Sequence, residues 1–101
     1  MIEVFAHRHG GYCRLFVTGH ANYNPGADIV CAGVSALTGA LIGYAEQSPD
    51  CRHLRAQIRS GEAFLAVRGG LGVGFDIVVQ GLARIAAAYP DHVRVHCTRT
   101  G

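Results

Sequence analysis

The 101-residue sequence contains no lysine, and only 16% of its residues are charged. Without lysine no P-loop can form, because that phosphate cradle needs a lysine to reach the terminal phosphates. Nine arginines stand against seven acids, a net charge of +2. So even a balance gives no strong electrostatic footprint for nucleic acid or acidic lipid. No CxxC pair occurs among Cys13, Cys31, Cys51 and Cys97, so no common zinc pattern is present. The opening Met1-Ile2-Glu3-Val4 lacks the basic and apolar regions of a secretory leader. Four reduced thiols in a cytoplasm are expected, not a disulfide framework. The uncharged stretch from Ile29 to Ala45 spans 17 residues and includes Gly33, Ser35, Thr38, Gly39 and Gly43. A membrane-spanning helix needs about 20 mostly apolar residues. The stretch therefore reads as a soluble central helix, buried on most of its circumference.

Half of the residues are hydrophobic, which is enough to offset the entropy of folding and excludes a disordered chain. The length fits a single domain over residues 1–101. Ile2 to His7 alternates as a strand, Gly10-Gly11 turns the chain, and Tyr12 to Val17 forms a second strand. Residues 22–27 are dense in turn formers. The central helix follows, with Asp28 as N-cap or first-turn acid. Residues 53–60 and 62–68 read as two strands joined at Ser60-Gly61, and Gly69 to Gly74 as a glycine-rich connection. Apolar spacing from Phe75 to Tyr89 is helical, Pro90 stops it, and Val93 to Cys97 is a last strand. The order β-β-α-β-β-α-β implies a small α+β domain with helices packed on a mostly antiparallel sheet. Ala32, Ala36 and Ala40 make a small-residue stripe that suits close approach of a sheet or of a second subunit.

Chemistry concentrates between Gly19 and Ser35. His20 lies where a strand gives way to a loop, and Cys31 is expected in the first turn of the helix. A cysteine there feels unpaired backbone N–H groups and the positive end of the helix dipole, which both favour thiolate. A nearby imidazole can take the proton, and the same N–H groups can receive an oxyanion. Asp28, Cys31 and Ser35 fall at i, i+3 and i+7 on one helix face. Asp28 either caps the helix or also orients His20. Ser35 lines the site or satisfies its hydroxyl within the helix.

Gly19-His20-Ala21 followed by Gly26-Ala27-Asp28-Ile29-Val30-Cys31-Ala32-Gly33-Val34-Ser35 resembles the signature of the Prp family, the bacterial ribosomal-processing cysteine proteases. The resemblance is most specific over residues 19–36 and looser in the second half, where Gly81-Leu82 and Tyr89-Pro90 fit. It implies a cytoplasmic, homodimeric cysteine protease with no cofactor, no metal, no membrane and no direct nucleic-acid partner. The implied substrate is the short N-terminal extension of a large-subunit ribosomal protein, number twenty-seven. Carried over by position, His20 matches the catalytic base and Cys31 the nucleophile. Gly19, Asp28 and Ser35 match other site positions, and Gly26 matches a glycine of the substrate-admitting loop.

Other signals carry less. Gly69 to Gly74 fails GxGxxG, because Phe75 stands where the last glycine belongs. His7, His9 and Cys13 fit no common metal spacing. The series Arg52, Arg55, Arg59 reads as a solvated face. Two other functions stand beside the protease. One is a non-catalytic ribosome-assembly module using the same groove and those arginines. The other is a thiol redox sensor, weakened by the lack of a nearby resolving cysteine.

Overall fold

Two short turns fix the register of the sheet. The first, at Gly10-Gly11, places His9 opposite Tyr12; the second, at Ser60-Gly61, places Arg59 opposite Glu62. Gly10 and Gly61 take φ of 55° and 75°, where a side chain is disfavoured. The computed structural model describes residues 1–19 and 27–100, apart from the side chains at 27, 28, 99 and 100. Its elements are β1 (Ile2–His9), β2 (Tyr12–Thr18), α1 (Ala27–Gln47), β3 (Arg52–Arg59), β4 (Glu62–Arg68), α2 (Gly72–Ala88) and β5 (Val93–Thr100). The β-β-α-β-β-α-β order is the one read from the sequence.

The five strands lie in the order β3-β4-β2-β1-β5. Three pairings are antiparallel, and β5 runs parallel to β1, with Ile2 opposite Val93. The sheet is therefore mixed but mostly antiparallel. Alternation along each strand sends Val4, Leu15 and Leu65 to one face, where all three are fully buried. α1 covers them with Val30, Val34, Leu41 and Ile42, and α2 with Phe75, Val78 and Leu82. Each such side chain contributes about 1.5–3 kcal/mol relative to exposure.

Three sequence expectations change. First, α1 is buried along one face rather than most of its circumference. Ile29 and Tyr44 are 67% and 58% exposed, and Ala32, Ala36 and Ala40 are all exposed. Ile29–Gln47 is long and apolar enough to cross a membrane by length and composition. In the fold its buried side chains form the core. Second, the alanine stripe does not meet the sheet. Close helix approach uses glycines instead: a Cβ at Gly33 would sit 3.1 Å from Ile85 Cδ1, and one at Gly81 would sit 2.9 Å from Leu37 Cδ1. Third, only the start of the run Gly69 to Gly74 is a connection, since α2 begins at Gly72. Gly69 and Gly70 have positive φ, and a Cβ at either would lie 2.7 Å from Asp50 atoms. Arg8 of β1 fastens the start of α2. It donates to the Gly72 carbonyl at 3.3 Å and pairs with Asp76.

Candidate active site

α1 begins at Ala27, so Asp28 lies within its first turn rather than outside the helix as a cap residue. Cys31 is then the fifth helical residue, one position beyond the first turn where the sequence placed it. The correction is small in its consequences. Helical Cα–Cβ bonds tilt toward the N-terminus, so the Cys31 side chain leans back toward the first turn, whose N–H groups have no acceptor within the helix itself. Uninterrupted helix from Ala27 to Gln47 keeps positions 28, 31 and 35 on one face. His20 and Gly26 lie outside the described residues, as does the Asp28 side chain.

Cys31 is half-buried between the core residues Val30 and Val34. It opens into a cavity of about 180 Å³ between α1 and one end of the sheet. α1 lines this cavity with Cys31, Ser35 and Thr38; Gly19 comes from just beyond β2, and Arg59, Gly61 and Glu62 from the β3–β4 turn. The structure thus brings Gly19, Cys31 and Ser35 to one place. Ser35 is exposed there.

Gly19 has a stereochemical reason to be glycine. Its φ is 100°, and a Cβ would fall on the Met1 carbonyl oxygen. Its amide donates to the Gly61 carbonyl at 2.9 Å. Gly19 is thereby held at the cavity wall just beyond β2.

Sequence reasoning missed Thr38 as a site residue. Thr38 is 4% exposed, yet among the described residues its hydroxyl has no hydrogen-bond partner. Buried polar groups are nearly always paired. The available signal was its spacing: Thr38 lies seven residues after Cys31, on the same helix face.

The other thiols differ. Cys13 is buried on the helix-facing side of the sheet, and burial pushes its thiol pKa up. Cys51 is half-buried and Cys97 exposed. His7 lies on the opposite face of the sheet from Cys13, bonded to Thr98 Oγ1 at 2.9 Å, so these two do not converge on one ion.

The family described as cysteine protease Prp matches residues 1–94. The chain belongs to that family. It is a cysteine peptidase, and its fold is that of solved Prp structures. The S. aureus ribosomal processing protease Prp, solved with a covalently linked product peptide, is 20% identical with a TM-score of 0.76. The alignment covers 97% of this chain and 100% of that one. The same protease with a substrate peptide aligns equally well. SMU.848 from Streptococcus mutans is 24% identical, with a TM-score of 0.73, over 98% of this chain and 95% of that one. No curated protein sequence matches the chain.

Proposed function

We propose that this Prp-family peptidase removes the short N-terminal extension of a large-subunit ribosomal protein, number twenty-seven, with Cys31 as nucleophile and His20 as general base. The carrying observation is the half-buried Cys31 opening into a cavity that Gly19 also lines. His20 is the next residue along the chain. The S. aureus protease, solved with a covalently linked product peptide, supports a covalent route.

In this reading the Cys31 thiolate attacks the scissile carbonyl, forming a C–S bond and a tetrahedral oxyanion. Free N–H groups of the first turn of α1 are the natural donors to that oxyanion. Collapse breaks the C–N bond, and the His20 imidazolium gives its proton to the leaving amine. His20 then takes a proton from water, which attacks the thioester and releases the acid and the thiolate. Asp28 either stabilises the first turn or orients His20. Family membership favours this enzyme over a non-catalytic ribosome-assembly module.

The reading includes a cytoplasmic location and a homodimer. A dimer is supported by the apolar surface that α1 and α2 leave open. Tyr44, Val73 and Ile77 are 58%, 76% and 64% exposed around a groove of about 630 Å³. The exposed alanine stripe of α1 lies alongside it. The function is tested by presenting the purified protein with a peptide copying an extended ribosomal-protein N-terminus. Cleavage at one bond, abolished in Cys31→Ala and His20→Ala, supports it. Intact peptide with wild-type protein across several extensions overturns it.

A further inference from the structure

Both helices cover the same face of the sheet. The opposite face is open, and its composition is unlike the rest of the molecule. The pairing registers align Gln57, Phe64, Phe16, Phe5 and His96 in one row across all five strands. Four of these residues are rings. Phe64 and Phe16 meet edge to face at 6.5 Å between centroids. Phe16 and Phe5 lie near parallel at 6.3 Å, and Phe5 stacks on His96 at 4.7 Å. Phe5 is 41% exposed. His96 is exposed as well, and Phe16 and Phe64 are half-buried, so the row meets solvent at every ring, and an apolar patch of this kind marks an interaction surface.

The carboxylates beside this row are placed unevenly, while arginines stand on both sides, with Arg59 and Arg94 among the acids. On one side the next outward-facing row holds Arg55, Ala66, Arg14, His7 and Thr98. Beyond it Arg68 lies over the Tyr12 ring at 5.2 Å. Neither of these rows nor the ring row carries a carboxylate among the described residues. Both acids of the face, Glu3 and Glu62, stand in the row on the other side. Glu3 is engaged there by His96 at 3.2 Å and Arg94 at 3.7 Å. The overall charge of +2 averages over this asymmetry, which is why composition gave no sign of it.

We propose that this open face binds single-stranded RNA, with bases against Phe64, Phe16, Phe5 and His96 and the phosphate backbone along Arg55, Arg14 and Arg68. Rings offer a stacking surface to any base, and arginines on one flank neutralise phosphates while the acids lie on the other. A second copy of the chain is less well matched. The described rows of this face hold Arg14, Arg55, Arg59, Arg68 and Arg94 against two carboxylates, an excess of positive charge that a second copy of the same face would double and a phosphate backbone would neutralise. The proposal is independent of the protease reading, because the Cys31 cavity opens on the helix side of the sheet.

The test is fluorescence anisotropy of a labelled oligouridylate of about eight nucleotides, titrated with the full chain at several salt concentrations. Binding at about 10 µM in low salt, weakening as salt rises, is expected. Phe16→Leu keeps most of the apolar volume and removes the ring; it is expected to weaken binding at least about five-fold. Arg14→Gln changes only a surface cation; it is expected to reduce the salt slope by about 0.7. Arg84→Gln, on the helix side, is expected to leave binding within about two-fold, which separates a site from general basicity. Equal sedimentation and equal Cys31 alkylation across the variants show that the fold is kept. No anisotropy change at high protein concentration and low salt overturns the proposal. So does binding that both face variants leave intact. Loss of self-association in Phe16→Leu or Arg14→Gln, with no RNA binding by the wild type, also overturns it and assigns the face to a second copy.

Discussion

The Gly19 amide donates to the Gly61 carbonyl at 2.9 Å, tying the residue before His20 to the turn between β3 and β4. Two distant segments thereby share one wall of the Cys31 cavity. Gly19→Ala forces a side chain onto the Met1 carbonyl at a φ of 100°. A cost of about 1–3 kcal/mol is expected, read as a lower urea midpoint with unchanged slope. Peptide cleavage should fall further than stability accounts for, since Gly19 also lines the Cys31 cavity.

Thr38 tests whether the cavity wall holds an unpaired polar group. Among the described residues its buried hydroxyl has no hydrogen-bond partner. Replacing it by an apolar group of the same shape is expected to be neutral or to stabilise by up to about 1 kcal/mol. Thermal melts of Thr38→Val check this, and a loss above about 1 kcal/mol would show that the hydroxyl is paired.

The Cys13 thiol gives a pH dependence. Burial raises its pKa, with Asp76 and Cys51 adding and Arg8 opposing. The folded state therefore holds this proton to higher pH than the unfolded state. The stabilisation is complete below the ordinary thiol pKa and is lost as pH rises from it toward the raised folded value. Urea midpoints should decline above about pH 9. Cys13→Ala should flatten that decline, whatever its effect on stability at neutral pH.

Much of this fold was legible from local pattern. The two hairpins follow from alternation and from Gly10-Gly11 and Ser60-Gly61. Both helices follow from spacing and from Pro90. Long-range relationships were not legible. The parallel pairing of Ile2 with Val93 joins opposite ends of the chain and leaves no local trace. The exposed side of α1 could not be read from Ile29 to Ala45, because an uncharged helix carries no polar stripe to mark solvent. Gly72 and Gly74 resemble linker residues, yet they continue a helix held at its start by Arg8. In the site, Cys31 stood out through its neighbours in sequence. Thr38 did not, because only burial makes an unpaired hydroxyl notable. The ring row on the open face was hidden by register: Phe5, Phe16, Phe64 and His96 sit on four different strands.

The helix-side groove makes a separate prediction about assembly. Tyr44 and Ile77 are exposed beside the small-residue stripe of α1. If this surface joins two copies, Ala36→Glu places a carboxylate within it. The variant is expected to run as a monomer in light scattering at concentrations where the wild type is a dimer. Unchanged mass would move the dimer contact elsewhere.

The proposed chemistry turns on one sulfur atom. Its decisive test is intact-mass spectrometry of the protein mixed with an extended ribosomal-protein N-terminal peptide and quenched early in acid. A transient adduct equal to the acyl portion of the cleaved extension is expected, mapped to Cys31 and absent in Cys31→Ala. Cleavage that proceeds unchanged in Cys31→Ala, or an adduct mapped to Cys13, Cys51 or Cys97, would contradict it.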